Sequence, residues 1–133
     1  MKLKKVRGYI FSRDFMGERV PQHIQNIVIS EFCKKNNLNL LLSATEYCMD
    51  QSTSILKSVI DEISKVNGIV LYSLFQLPEN DIDRMRFMKI IISKKKIVYF
   101  ACEKETLSNQ DQLEKIEFIW KIKKELKNCY VNN

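Results

Sequence analysis

Short apolar runs alternate along the chain with longer segments in which apolar residues recur every three or four positions. The short runs predict β-strands and the longer segments predict α-helices, because side chains alternate across a strand and return to one helix face about every 3.6 residues. The four predicted strands are Val6–Ser12, Leu38–Ala44, Ile69–Ser73 and Ile97–Cys102.

Four helices are predicted between and after these strands. The first opens at Val20–Pro21, because proline suits the first turn of a helix, and it ends at Asn36–Asn37. The second follows a cap at Ser52 or Thr53 and stops at Asn67–Gly68. The helical apolar residues are Ile24, Ile27, Val28 and Phe32 in the first helix, Ile55, Leu56, Val59, Ile60 and Ile63 in the second, Ile82, Met85, Ile91 and Ile92 in the third, and Leu113, Ile116, Trp120, Ile122 and Leu126 in the last.

The order of elements predicts an α/β fold with a parallel sheet. The third and fourth strands are continuous apolar runs, which is typical of strands covered on both faces. Right-handed crossovers then give a small three-layer, doubly wound, flavodoxin-like sheet of four parallel strands in the order 2-1-3-4. No linker or repeat interrupts the pattern, so we expect one domain over residues 1–133.

Polar and aromatic residues follow the first three predicted strands. Ligands of doubly wound sheets bind at the carboxyl ends of the strands, where the winding reverses. Three loops therefore converge on one edge of the predicted sheet. The candidate site residues on these loops are Ser12, Arg13, Arg19, Gln22, His23, Glu46, Tyr47, Ser73 and Gln76.

Each candidate has a chemical role and a plainer alternative. Arg13 and Arg19 flank the start of a helix and can hold an anion, or they are two solvated arginines. His23 and Glu46 can transfer protons, or they are a capping-turn histidine and a salt-bridge partner of an arginine. Ser12 is either a nucleophile or a hydrogen-bonding group. The hydroxyl-orienting candidates are Gln22, Tyr47, Ser73 and Gln76.

Composition narrows the chemistry. The chain of 133 residues has only 3 glycines and no glycine-rich phosphate loop. Its 4 cysteines (Cys33, Cys48, Cys102 and Cys129) are dispersed without metal-ligand spacing, so we expect reduced thiols, no metal and no cofactor. No run is long enough for a signal peptide or a membrane span, which predicts a cytoplasmic protein without a membrane partner.

The net charge of +6 is compatible with nucleic acid or with an anionic small molecule. On the last helix, lysines alternate with glutamates, and no recognition motif for DNA or RNA is present. These patterns argue against nucleic acid as the partner.

Three segments resemble the sporadic carbohydrate cluster family, small bacterial proteins encoded among surface-polysaccharide genes. They read YIFSRDFMGERVPQHIQN, LLSATEY and YSLFQLPEN, and the resemblance extends from about Arg7 to Cys129. It implies a role in sugar biosynthesis or modification, without a reaction that can be carried over.

The layout also resembles the catalytic domain of serine recombinases, or resolvases. Tyr9 to Arg13 reads Tyr-Ile-Phe-Ser-Arg against that family's Tyr-x-Arg-x-Ser, so Ser12 is displaced by one place, while Gln25 matches a glutamine of the first helix. The family's Leu-Asp-Arg-Leu-x-Arg motif has no counterpart after the third strand, since both arginines and the aspartate are missing. The resemblance therefore implies the fold and argues against strand exchange.

These observations predict a small cytoplasmic enzyme of surface-glycan synthesis that binds an anionic sugar, sugar phosphate or nucleotide sugar, with isomerisation, epimerisation or transfer left open. One alternative is a non-catalytic subunit that binds a glycan enzyme through an exposed apolar patch near Trp120. The other is a degenerate, recombinase-like DNA-binding protein. Self-association into a homodimer through the last helix is a further expectation.

Overall fold

A computed structural model describes residues 3–11, 19–46 and 63–131 of the chain, with side chains described at 3–10, 19–41 and 63–126. The strands are β1 (Lys4–Phe11), β2 (Leu38–Glu46), β3 (Gly68–Leu71), β4 (Ile97–Phe100) and β5 (Glu105–Leu107). The helices are α1 (Gln22–Lys35), α2 (Asp81–Ser93) and α3 (Gln110–Val131), and two 3₁₀ turns occupy Ile63–Lys65 and Leu74–Gln76.

The five strands form one mostly parallel sheet in the order β2-β1-β3-β4-β5. β1 pairs in parallel with β2 and β3, and β3 pairs in parallel with β4. This confirms the α/β class and the order of the four predicted strands. The difference is β5, an antiparallel edge strand of only three residues that pairs with β4.

Two apolar cores cover the two faces of the sheet, because consecutive strand residues point to opposite sides. Ile69 and Leu71 join the core under α2 and α3, whereas Val70 between them joins the core under α1. The predicted three layers are therefore confirmed for the described part of the chain. The larger core is closed by Trp120, which is fully buried.

The ends of α2 follow from local chemistry. The Asn80 side chain accepts hydrogen bonds from Ile82 N (2.9 Å) and Asp83 N (3.0 Å) at the first turn, which caps free amides of the helix. At the other end, Lys96 N donates to Ile91 O (3.1 Å) and Lys95 N donates to Ile92 O (3.0 Å). Lys95 has φ 57°, so the helix ends in a Schellman motif with lysine where glycine is favoured.

The apolar face of α1 differs from the one expected. Ile24 and Ile27 are 38% and 61% exposed, and the buried residues are Gln25, Ile29 and Cys33. Burial raises the pKa of the Cys33 thiol from 9.0 to about 11, which suits a reduced core thiol. Cys33 and Cys102 are both free thiols.

The second predicted helix lies mostly outside the described residues, apart from the 3₁₀ turn at Ile63–Lys65. Within the described parts of the chain, no helix combines the length and the apolar character needed to cross a bilayer.

Candidate functional site at the carboxyl edge of the sheet

The carboxyl edge is the edge at which β1, β2, β3 and β4 end, and it is where the sequence predicts a site. Ser12, Arg13 and Tyr47 lie outside the described residues. Glu46 is the last residue of β2 and pairs with Phe11, so its backbone is at this edge, but its side chain is outside the description. The remaining candidates are Arg19, Gln22, His23, Ser73 and Gln76.

Arg19, Gln22 and His23 are exposed at the start of α1. Pro21 is the N-cap residue of this helix, and its carbonyl accepts from the backbone N–H groups of Ile24 and Gln25, each at 3.1 Å. The three side chains therefore lie at the rim of the carboxyl edge. They remain predicted site residues.

A buried hydrogen-bond network joins α1 to the end of β3. Gln76 Nε2 donates to Gln25 Oε1 (2.9 Å), and Gln25 Nε2 donates to the carbonyl of Val20 (2.9 Å). The oxygen of the Gln76 amide accepts from Tyr72 N (3.0 Å) and Ser73 N (3.3 Å). Both glutamines are fully buried. This glutamine pair fixes the segment before α1 against the turn after β3.

The carboxylate of Glu103, in the turn between β4 and β5, completes the network. Ser73 Oγ donates to Glu103 Oε2 (2.7 Å), and Leu74 N donates to Glu103 Oε1 (3.0 Å). Ser73 Oγ also accepts from Phe75 N (3.1 Å) and thereby caps the 3₁₀ turn at Leu74–Gln76. Ser73 is buried, so its hydroxyl is held between a carboxylate and a backbone amide.

Cys102 precedes Glu103 and is the exposed thiol nearest to this network in sequence. Burial of its sulfur raises the pKa of the thiol, the side-chain hydrogen bond with Tyr72 lowers it, and the charge of Glu103 raises it; the net change is upward. Reactive cysteines have the opposite shift, because the thiolate is the nucleophile. Cys102 is therefore a protonated thiol at neutral pH and not an activated nucleophile.

The described part of the carboxyl edge is thus built from neutral amides, a hydroxyl and one carboxylate that bind one another. Such an arrangement can position backbone segments, but it offers no buried cation to an anionic ligand. In the described ranges, no group of three or more histidine, cysteine or acidic residues is placed to hold a metal ion.

Two members of this network were missing from the predicted site. Gln25 matches a helix glutamine in the resemblance to serine recombinases, but its helical position next to Ile24 gives no sign of burial. Glu103 follows β4, whose carboxyl end reaches the same edge, so the rule that selected the other three loops also applied there.

Trp120 is not part of an exposed patch. Its Nε1 donates to the carbonyl of Leu74 (3.2 Å), the guanidinium of Arg84 lies 4.3 Å from its ring centroid, and Phe75 contacts it edge-on at 5.3 Å. Trp120 is a core residue, so the apolar patch predicted near it on the last helix does not include the indole, and that patch stays a prediction. The exposed apolar residues of α3 are Phe118, Ile122 and Leu126.

Comparisons with known proteins give the fold and no family. No protein-family model matches the chain, and no curated protein is significantly similar to it. Among solved structures, the chain is similar to the N-terminal catalytic domain of TP901-1 integrase, with a TM-score of 0.62 and 16% identity over 94% of this chain and 97% of that one. It is also similar to a resolvase family site-specific recombinase from Streptococcus pneumoniae, with a TM-score of 0.67 and 11% identity over 98% of this chain and 93% of that one.

These similarities correct the functional prediction. Nothing supports the carbohydrate cluster family, and the similar structures are an integrase catalytic domain and a resolvase family recombinase. The prediction of a glycan-biosynthesis protein is therefore wrong, together with the sugar-phosphate partner and the argument against nucleic acid. The resemblance to serine recombinases is confirmed at the level of the fold. The chain has the α/β fold of resolvase catalytic domains, and its described carboxyl edge is closed by its own side chains.

Proposed function

We propose that the chain is a DNA-binding protein built on the recombinase catalytic fold, and that it does not exchange DNA strands. The observation that carries this proposal is the similarity to an integrase and a resolvase over more than nine tenths of every chain compared. One of them is named as an integrase catalytic domain and the other as a site-specific recombinase, and site-specific recombination is a reaction of DNA. The proposal places the chain in the cytoplasm, where bacterial DNA is found.

The lack of strand exchange is inferred from the end of β3. Phosphoryl transfer depends on cations that stabilise negative charge in the transition state. The serine recombinase pattern has two arginines after this strand, and the chain has none between Leu71 and Pro78. In their place, Ser73 and Gln76 bind Glu103 and Gln25. A carboxylate at this position disfavours a phosphate in the same space, because like charges repel.

The predicted site residues keep a reduced role in this proposal. Arg13 and Arg19 would contact phosphate at the rim of the carboxyl edge, as they would any other anion. Ser12, His23, Glu46, Gln22 and Tyr47 stay predicted as groups near that phosphate. Ser73 and Gln76 are assigned to the buried network and not to the ligand.

Binding to a labelled 30-base-pair duplex, measured by fluorescence anisotropy over a range of salt concentrations, tests the first half of the proposal. We expect binding that weakens steeply as salt rises, because lysine and arginine contacts to phosphate release counterions. If the protein leaves the duplex free even at low salt, the DNA-binding proposal is wrong.

The second half is tested with the same protein and supercoiled DNA. After denaturation, we expect no covalent protein–DNA product and no change in linking number. A covalent adduct that disappears in a Ser12→Ala variant would overturn the proposal that strand exchange is absent, while leaving DNA binding intact.

The predicted homodimer through the last helix stays a proposal. Phe118, Ile122 and Leu126 recur every four residues on α3 and are 63%, 41% and 53% exposed, so they form one apolar line along the helix. Light scattering of the wild type and of a Phe118→Ser, Ile122→Ser variant tests it. We expect a dimer that becomes a monomer, and a monomeric wild type would contradict the proposal.

A further inference from the structure

The opposite edge of the sheet carries a concentration of lysines that the carboxyl-edge site does not use. We define the amino edge by the residues that lie where the four parallel strands begin: Lys4, Lys5, Lys34, Lys35, Lys65, Lys94, Lys95 and Lys96. All are exposed except Lys96, which is half-buried and donates from Nζ to the carbonyl of Val66 (2.8 Å).

Topology brings these lysines together from four separate segments. Parallel strands begin at the same edge of a sheet, and α1 and α2 return the chain to that edge. The register places Val6 beside Gly68, and Gly68 beside Ile97, so Lys5 and Lys96 precede residues at the same level of the sheet. Lys4 pairs with Leu38, just after the end of α1 and its two lysines.

The backbone under the lysines is fixed. Asn67 Oδ1 accepts from Lys5 N (2.8 Å), Asn67 N donates to Lys5 O (2.7 Å), and Asn67 O accepts from Ile97 N (3.3 Å). A side chain at Gly68 would collide with the carbonyl of Ile97, so the strands approach closely at this point. The lysine side chains therefore extend from a rigid platform.

The amino edge is not neutralised by the described acidic residues. In segments 3–6, 30–39, 63–68 and 92–98, which meet there, Glu31 is the one carboxylate. No amino-edge lysine forms a salt bridge with a described acidic group. Elsewhere the described lysines do have such partners, for example Lys115 with Glu105 (2.8 Å) and Lys124 with Asp81 (2.8 Å). β5 runs back toward the amino edge, where Leu107 pairs with Val98, so Asp111 in the first turn of α3 lies at this end of the sheet too, beside β5 and next to the start of β4.

We infer that the amino edge is a binding surface for the phosphate backbone of duplex DNA; this inference rests on the proposed function. Neighbouring strands are about 4.8 Å apart, so the starts of β2, β1, β3 and β4 span roughly 14 Å. Duplex DNA carries one charge per about 1.7 Å of its axis, which gives roughly eight charges over that length. A row of lysines matches such a regular line of phosphates without reading the sequence of bases.

Two charge-matched variants test the inference. The amino-edge variant changes Lys34, Lys35, Lys65 and Lys94 to Gln; none of these side chains makes a hydrogen bond or ion pair with a described group. The control variant changes Arg86, Lys89, Lys104 and Lys121 to Gln, four exposed cations outside the amino edge. Each variant lowers the net charge of +6 by four, so any difference between them comes from position.

We expect the amino-edge variant to bind the 30-base-pair duplex on the order of 10³-fold more weakly than the wild type at 0.1 M salt. Its plot of log affinity against log salt should be shallower by about 3.6, which is about 0.9 for each lost phosphate contact. The control variant should lose less than about tenfold. Thermal unfolding of both variants checks that they fold like the wild type.

The outcomes separate the inference from the proposed function. Equal loss in both variants, or a larger loss in the control, would overturn the amino edge as the binding surface and leave DNA binding standing. A wild type that does not bind the duplex overturns both. Tight binding to phosphatidylserine vesicles without binding to the duplex would likewise reject DNA as the polyanion.

Discussion

The two ends of the parallel strands carry polar groups of opposite kinds. At the carboxyl edge, Gln25, Gln76 and Ser73 are buried and bind one another or Glu103. At the amino edge, lysines are exposed and lack described acidic partners. The first arrangement satisfies polar groups within the fold, and the second leaves charge exposed at the surface.

Because of this difference, the buried polar groups matter for the stability of the fold and the exposed charges matter for binding. A buried polar group that loses its partner costs about 1–3 kcal/mol, because it cannot return to water. An exposed charge changes the free energy of unfolding by no more than about 0.5 kcal/mol. It does attract a polyanion, because its electrostatic field extends into the solvent. Substitutions in the buried network at the carboxyl edge should therefore destabilise the fold, and substitutions of the exposed lysines at the amino edge should weaken binding.

The largest effect on stability is expected from Gln76→Leu. This change removes the acceptor of Tyr72 N and Ser73 N and the donor to Gln25 Oε1, while keeping a side chain of similar size. We expect the free energy of unfolding to fall by about 3 kcal/mol, measured by urea denaturation.

Gln112→Leu is the matched control for that prediction. The oxygen of Gln112 also accepts from a backbone amide, Ser108 N, but its side chain is only partly buried, so water can replace the bond. We expect a loss of about 1 kcal/mol or less. Equal losses at the two glutamines would contradict the idea that burial makes the carboxyl-edge network important.

The pair Ser73 and Glu103 should give the next largest effect. Glu103→Gln replaces a charged acceptor of two hydrogen bonds with a neutral one, and Ser73→Ala removes one of the two donors. We expect each single change to cost about 1.5–2 kcal/mol, because hydrogen bonds to charged groups are the stronger ones. The double variant should be about 1 kcal/mol more stable than the sum predicts. Additive losses would mean that the two side chains do not depend on each other.

The sequence predicted the sheet well and the chemistry of its edges poorly. β2 and β4 begin at the predicted residues, Leu38 and Ile97, because continuous apolar runs are strong signals. β5 was missed because Glu105-Thr106-Leu107 has no apolar run, and its strand conformation depends on pairing with β4. Pairing with β4 sets the ends of β5, and the sequence of β5 itself carries no signal of that pairing.

Burial of polar residues was the part that local pattern could not supply. A glutamine on a helix is normally solvated, whereas Gln25 is buried and bonded to Gln76, which lies 51 residues later in the chain. The lysines of the amino edge come from four segments as well. Lys4 and Lys5 lie at the start of the first strand and the other lysines follow helical segments, and only the strand order shows that they meet.

Lys95→Gly should stabilise the amino edge while weakening binding. Lys95 has φ 57°, a conformation that glycine adopts without the steric cost of a Cβ atom. We expect a gain of about 0.5–1 kcal/mol in the free energy of unfolding.

Lys94→Gly is the control. Because Lys94 has φ −84°, this variant should lose up to about 1 kcal/mol of the free energy of unfolding. Both changes remove one lysine, so both should reduce the salt dependence of DNA binding by about 0.9. A stabilised Lys95→Gly protein with unchanged salt dependence would remove Lys95 from the binding surface.

The smallest effect should come from Asp81→Asn, which probes an exposed charge near the start of α2. Hydrogen bonds from Lys124 and then Arg84 lower the pKa of the Asp81 carboxyl from 3.8. A lowered pKa in the folded state means that the carboxylate stabilises the fold above pH 3.8 and loses this contribution as the pH falls through the folded value. Because the side chain is 71% exposed, water and salt screen the attraction, and the loss of unfolding free energy in the variant at pH 7 should be at most about 0.5 kcal/mol.

Urea denaturation at pH 7 and at progressively lower pH tests this prediction. The free energies of unfolding of the wild type and of Asp81→Asn should converge once Asp81 is protonated. A difference above about 1 kcal/mol, or one that persists in acid, would mean that exposed charges here affect stability as much as buried amides do, and the contrast between the two edges would fail.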